Sequence, residues 1–451
     1  MKNLAPDTDQ PQKGDSAKYE AYIKQDFRHH RVFVGMDIFM ECVLNVPGNW
    51  KGEWAGTIRK VKNDRIFRAA YEGYCDKLNS QSFEEAELYE PLVSIANAIF
   101  SVAKSSSEKS AIPATDLRYL VNNPKRVVVG VMTDLSPDIV AVDKGFLRHM
   151  HPEERRTRVG ESNRVIPQTD ETKNQKKAYL QVGRYLLEQF SVPAFRSHAT
   201  IGLIDRHRIQ FIHANHSVIL VSSAIDFSST QSEGGEDRLD KFIAVVIAFN
   251  RLSLCESGII LHGPSEEGPF KDNGRLPRSP PTRDPVNVQS GKGFKFGADG
   301  ENEPFTLKFG EVISHETSLA GRGTAVLRAK CSSWKGLDLV VKIGWPGSRR
   351  AAEHKFIEKA TEKAKSNGIH TWALNHLPKT FYARDVAFGL NSTHEKVARL
   401  FDKAKFVDKG YEYERRTMRI IVQERLYPLK DLTNVKDIAQ VLLDVACSRC
   451  F

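Results

Sequence analysis

The stretch from Ala320 to Lys342, AGRGTAVLRAKCSSWKGLDLVVK, leaves this chain few ways to fold. Gly321 and Gly323 sit in a turn between two strand-like runs, and Val340-Val341-Lys342-Ile343 closes a third. Short apolar runs joined by tight turns predict a small antiparallel sheet. Without a Cβ, the glycines let backbone N–H groups approach the oxygens of an anionic ligand. A lysine on the next strand can reach the same ligand as a point charge. Two glycines near a hairpin are by themselves ordinary hairpin chemistry, so order and spacing carry the reading. Gly321 precedes Lys342 by 21 residues, enough for the turn, a second strand, a turn near Ser332-Ser333 or Lys335-Gly336, and the third strand. The third glycine of a full G-x-G-x-x-G is absent.

The rest of the chain bounds what such a sheet can serve. Its 451 residues leave room for two or three domains. A net charge of +10 favours weak contact with phosphate-rich partners. The basic run from Gly56 to Arg68 lacks regular aromatic interleaving, so nucleic acid is not an expected partner. Cysteines at 42, 75, 255 and 331 are scattered, and Cys447 with Cys450 forms a lone CSRC. Without a second such pair or a histidine pair no zinc set is complete, which points to free thiols in a reducing compartment and no metal site. Residues 1–14 are polar and the longest apolar run, Phe242 to Phe249, has eight residues. No targeting or spanning segment is therefore expected, and the protein is placed in cytoplasm or nucleus without a membrane partner.

Four regions follow from composition and periodicity. Residues 1–17 read as a disordered tail. Residues 18–255 read as an N-terminal mixed α/β domain. A capping box at Ser82 to Glu85 opens a helix running to about Val102, with Leu88, Leu92, Ile95, Ala98 and Ile99 at helical spacing. Strands are expected at Arg126–Val131 and Ile139–Val142, a helix at Lys176–Glu188, alternating strands and turns over Ala199–Phe227, and a last helix at Arg238–Leu252. Residues 256–302, with six prolines between Pro264 and Pro285, read as a flexible linker. Residues 303–451 form the module that carries the glycine turn. There a helix over Ala351–Ser366 follows the lysine strand, with Glu353 eleven residues past Lys342 and Phe356, Ile357 and Ala360 as its apolar stripe. Leu377–Tyr382 and Met418–Leu426 read as strands, and Thr433 caps a helix with Val435, Ile438, Val441, Leu442 and Val445 on one face.

Glycine turn, strand lysine, helix glutamate, two strands, a breaker and an apolar helix follow the element order of a protein-kinase small lobe crossing into its large lobe. LAGRGTAVLRA, VVKIGWP, AEHKFIEKA, HLPKTFY, MRIIVQERLYPL and DIAQVLLDV, in this order, resemble the fungal-type protein kinase family over residues 303 to about 446. The likeness extends to a preceding domain over residues 120 to 255. The resemblance implies an α+β chain whose small lobe binds ATP. Gly321 and Gly323 would cover the phosphates, Lys342 would meet them and Glu353 would hold that lysine. Gln423 to Leu426, Glu424 and Leu426 included, would form the hinge against adenine. The same resemblance implies a protein hydroxyl as phosphate acceptor, and magnesium held by an aspartate and an asparagine that full-length members carry further on. After Val445 the sequence shows neither a His-Arg-Asp loop nor the second aspartate, and CSRCF departs from the family. The chain is therefore expected to stop before the catalytic loop, to have no catalytic residue of its own, to bind ATP weakly and to transfer little or no phosphate. Ala383-Arg-Asp385 with Asn391 mimics that loop only in outline, because it precedes the hinge strand and carries alanine for histidine.

The N-terminal half offers a competing reading. Pro137-Asp138 and Glu171-Thr-Lys173 form a PD…ExK pattern, and a following helix carries Gln181. In nucleases of this kind the carboxylates hold magnesium and the lysine stabilises developing charge. The arrangement resembles a restriction-endonuclease-like core built on Asp138, Glu171 and Lys173. A mixed α/β domain that packs against the kinase-like lobe, or a non-catalytic module that binds another protein, fits the same residues. His29, His30, His149, His151, His207, His213 and His216 lack the carboxylate or cysteine spacing of a closed metal site and read as surface or turn histidines.

Overall fold

The structure, a computed structural model, describes residues 16–80, 85–106, 117–121, 139–143, 164–167, 173–191, 196–227, 238–252, 256–258, 293–296, 305–316, 318–375, 377–386, 388–390, 392–402, 413–426, 434–436 and 438–440. Its N-terminal half opens with helix α1 (Ser16–His30), strand β1 (Arg31–Val34) and helices α2 (Met36–Cys42), α3 (Trp50–Glu53), α4 (Ala55–Asn63), α5 (Arg65–Asn79) and α6 (Tyr89–Lys104). Strands β2 (Leu117–Val121), β3 (Ile139–Asp143) and β4 (Arg164–Pro167) lead to helix α7 (Lys173–Ser191). Strands β5 (Ala199–Asp205), β6 (Arg208–Ala214), β7 (Ile219–Ser222) and β8 (Ile225–Asp226) then precede helix α8 (Arg238–Arg251).

Among the described residues these strands form one mixed sheet in the order β1-β7-β6-β5-β4-β3-β2, with β8 beside β6. The β1–β7 and β4–β5 pairs are parallel. The two-residue period of a strand sorts side chains between two cores. Ile209 and Phe211 of β6 pack with Phe39, Ile99 and Phe242 from the helices on one face. Ile212 and Ala214 of the same strand pack with Ile23 and Leu186 from α1 and α7 on the other. Both faces are apolar because both are covered. The strand-and-turn reading of 199–227 holds in outline: Arg206 (φ 51°) and His216 (φ 63°) adopt the left-handed turn conformation. Asn215 Oδ1 accepts from the amides of Ser217 and Val218 and closes the second turn.

The C-terminal module runs β9 (Gly293–Phe296), β10 (Phe305–His315), β11 (Ala325–Cys331), β12 (Leu339–Gly344), α9 (Glu353–Ser366), β13 (Thr380–Val386), α10 (Thr393–Asp402) and β14 (Met418–Glu424). Its strands form an antiparallel sheet in the order β13-β14-β12-β11-β10-β9. Leu307, Leu327, Val341 and Val422 fill one face, around the fully buried Trp345. The α+β class expected from the sequence is what the structure shows.

Several local expectations need correction. The stretch taken as linker contains β9, which pairs with β10 through Phe296 and Phe305, so the lobe begins before residue 303. On α9 the buried residues are His354 and Ala364, while Phe356 is 61% exposed. Aiming Glu353 at the sheet turns the face carrying 354, 357, 361 and 364 inward and carries Phe356 out. The strand expected at Leu377–Tyr382 lies at Thr380–Val386. Asn434 accepts from the amide of Lys436 at the start of the last described helical residues, and Thr433, expected as the cap, lies outside the described residues. Helix α10 has no counterpart in the sequence reading, and its Val397 and Phe401 enter the N-terminal core. His213 is fully buried rather than a surface residue, and His216, in a turn as expected, is buried there. Ser82, the strand expected at 126–131, Asp138, Glu171, Asn391, Cys447, Cys450 and the helical positions Val441, Leu442 and Val445 lie outside the described residues. Among the described residues no helix is long and apolar enough to cross a membrane.

Candidate functional site

Strand alternation decides which way Lys342 points. Its neighbours Val341 and Ile343 enter the lobe's core, so Lys342 emerges on the opposite face, where α9 lies. There its Nζ meets Glu353 Oε2 at 2.5 Å. Both side chains keep solvent access, 34% and 47% exposed, so the pair contributes at most about 1 kcal/mol to stability. The contact fixes a cation at a set position on the sheet instead of holding the fold together.

Lys342 is paired in register with Val326 of β11 on one side and Ile421 of β14 on the other. The turn containing Gly321 and Gly323 leads directly into β11 and is tied to the end of β12, where Trp345 N–H donates to Arg322 O at 2.6 Å. Glu316 N–H donates to Thr324 O at 2.7 Å and closes its neck. The sheet thus carries the glycine turn and the lysine on neighbouring strands.

The glycines have steric reasons of their own. Gly323 adopts φ 46°, and a Cβ there would lie 2.9 Å from His216 Cε1. A Cβ on Gly321 would meet Ser318 Oγ at 2.2 Å. His216 belongs to the N-terminal module, and its carbonyl accepts the Gly321 amide at 2.8 Å. Its ring stacks on Trp345, centroids 4.7 Å apart and 14° from parallel. Asp26 of α1 accepts from the amides of Leu319 at 2.9 Å and Ala320 at 3.5 Å. Sequence reasoning missed both residues. Asp26 lies 293 residues from Leu319, and no local pattern announces so distant a partner. Behind the turn, Phe190, Arg196, His216, Glu316, Ser318 and Gly323 line a cavity of about 10 Å³. Among the described residues His216 Nδ1 and Ser318 Oγ find no partner there, and the space suits one water.

At the far end of the lobe, β14 ends at Glu424, whose carboxylate meets Lys379 at 3.3 Å. The Glu424 amide donates to Lys379 O and the Arg425 amide to Asp338 O. Both backbone donors are therefore committed within the sheet, while Leu426, 62% exposed, follows them at the surface.

The mimic of a catalytic loop is structural. Asp385 lies on β13 and makes a two-pronged ion pair with Arg419 of β14, at 2.6 and 2.9 Å. Arg419 is 8% exposed, so Asp385→Ala should lower stability by about 1–2 kcal/mol, discounted for the aspartate's own exposure. Urea denaturation measures the loss.

For the nuclease reading, Lys173 begins α7 and Gln181 donates to Tyr185 at 3.2 Å, while its two carboxylates lie outside the described residues. Among the described residues no group of three or more histidine, cysteine, aspartate or glutamate side chains could hold a metal ion.

A model of the fungal protein kinase family matches residues 164–446, more than half of the chain. The chain belongs to the fungal protein kinase family. A comparison with curated proteins brings no match. The family match starts at Arg164 on β4 and runs to residue 446. In this fungal protein kinase chain the family sequence therefore includes part of the N-terminal sheet as well as the whole glycine-turn lobe. Residues 173–227, which supply His216, fall inside it; Asp26 falls outside.

Proposed function

We propose that the C-terminal lobe binds ATP, with the triphosphate over the turn at 321–324, the Lys342 ammonium on its α- and β-phosphates, and adenine against the backbone at Leu426. The observation that carries this reading is the Lys342–Glu353 pair on the strand after the glycine turn. A lysine alone on a flexible four-carbon stem loses rotamer freedom on meeting a ligand. Glu353 offsets part of that by holding Nζ in advance, and the residual exposure of both leaves the cation accessible. Family membership favours ATP over other anions, because kinase lobes use this pairing on nucleotide phosphates.

Phosphoryl transfer asks for more. In protein kinases magnesium is held by the aspartate of an Asp-Phe-Gly segment and an asparagine of the catalytic loop, whose His-Arg-Asp aspartate meets the substrate hydroxyl. These 451 residues contain neither tripeptide, and the described residues offer no carboxylate cluster for the ion. The proposal therefore covers nucleotide binding by these residues and assigns them no transfer step.

Titration of ATP against the intact chain, followed by thermal shift, tests the reading. ATP should raise the melting temperature of the parent, and Lys342→Ala should weaken binding about tenfold or more while leaving the unliganded melt in place, as expected for loss of one charge-assisted contact. Absence of any ATP-dependent shift in the parent, or an undiminished shift in Lys342→Ala, would overturn it.

A further inference from the structure

The glycine turn is usually thought of as belonging to its own lobe, yet in this chain its stem is held from outside. Three successive amides, those of Leu319, Ala320 and Gly321, donate to acceptors of the N-terminal module: the Asp26 carboxylate takes the first two and the His216 carbonyl the third. The His216 imidazole then fills the space under Gly323 and stacks on Trp345 at the end of β12. These contacts use the amides of 319 to 321 and leave those of Arg322, Gly323 and Thr324 out of the anchoring. We propose that Asp26 is a positioning residue for the nucleotide turn, and that the N-terminal module sets the turn's shape before ATP arrives. This rests on the ATP reading above.

Three features support it. Leu319 is fully buried and Ala320 nearly so, so their amides would lack water as a substitute partner if the carboxylate were removed. Asp26 remains a carboxylate at neutral pH despite burial that pushes it up to about 6, with the two amide bonds and Arg416 acting in the opposite direction. Finally, a free turn of this length would have to lose its conformational freedom on binding, whereas an anchored one has already lost it. The anchoring acts on the turn's geometry, and Asp26 touches no phosphate in this scheme.

The test uses the full chain and ATP as probe. Hydrogen exchange of the segment 316–326 and the dissociation constant for ATP are measured for the parent, Asp26→Ala and Asp26→Asn. In Asp26→Ala, exchange at 319 and 320 should quicken at least tenfold and ATP should bind about tenfold more weakly. Asp26→Asn retains an acceptor oxygen and should stay within about twofold of the parent on both readouts, which a general loss of fold would not allow. Unchanged exchange in Asp26→Ala overturns the anchoring. Unchanged or tighter ATP binding in a variant whose exchange has quickened overturns the positioning role, tighter binding marking the contact as a competitor of the nucleotide. A parent that binds no ATP overturns the nucleotide reading itself and takes the positioning role with it, an outcome the first two results cannot imitate.

Discussion

Lowering the pH from about 7.5 to about 5 should cost this protein a few kcal/mol of stability. His198 and His216 are buried, and burial holds both imidazoles down to about 3. Hydrogen bonds to the carbonyls of Glu256 and Arg196 pull the other way without cancelling that cost. In the unfolded chain each would titrate near 6.5. Between those values the unfolded state binds protons that the folded state does not, so stability is present above about 6.5 and is lost as pH falls. At about pH 5 the loss is roughly 2 kcal/mol for each of the two. His213 and His394 are pushed the same way by burial, and the charge of His394 further disfavours a proton on His198 and His213. Asp26 opposes them: its carboxyl, raised to about 6, takes up a proton more readily folded than unfolded. It therefore returns about 1 kcal/mol over the same interval. Arg416 faces both His216 and Asp26, disfavouring a proton on either. Urea midpoints at the two pH values check the net loss. A midpoint that stays put would mean that these imidazoles are solvated in solution, contrary to the packing described.

Trp345→Ala should be the most damaging single substitution in the C-terminal lobe, at about 3–5 kcal/mol. The indole is fully buried in the lobe's core and packs against Phe388 and His394, ring centroids 5.6 and 5.7 Å away. It also carries the stack with His216, so its loss opens a cavity on the seam between modules as well as within one. The cost should appear as a lowered denaturation midpoint together with faster exchange of the glycine turn. Trp345→Phe keeps an aromatic face toward His216 and should recover a large part of the stability. A Trp345→Ala protein melting like the parent would show that the seam contributes little.

How much of this was legible in the sequence depends on the distance over which each signal acts. Runs such as Val340–Ile343 and Ala199–Phe227 declare themselves through apolar content and turn residues, and they stand as strands close to where those residues put them. The approach of Glu353 to Lys342 was readable because eleven residues, a short loop and a helical start allow few alternatives. The facing of α9 was not. Phe356, Ile357 and Ala360 look like an apolar stripe, but the helix is oriented by the pairing of Glu353 and by the sheet beneath it, and Phe356 is left in solvent. Asp26 and His216 were invisible as parts of the site, since neither carries a local pattern and each meets the glycine turn only through tertiary packing. The histidines were misjudged for a related reason. Polarity suggested surface or turn for His213, whereas it is buried, its ring tilted 41° against that of His198 at 5.0 Å, and it meets the hydroxyl of Thr200. Residues 423–426 were legible as the end of a strand, but not the commitment of the Glu424 and Arg425 amides to Lys379 and Asp338.

Helix α10 has one more implication. It is inserted between the last two strands of the C-terminal sheet, yet Val397 and Phe401 lodge among the residues of the other module's interior. Severing the chain at its proline-rich stretch would strip both side chains of their cover and leave a sticky flank on each fragment. Neither piece is excisable as a ready-made unit, and grafting this lobe onto an unrelated carrier would require a new surface for that helix.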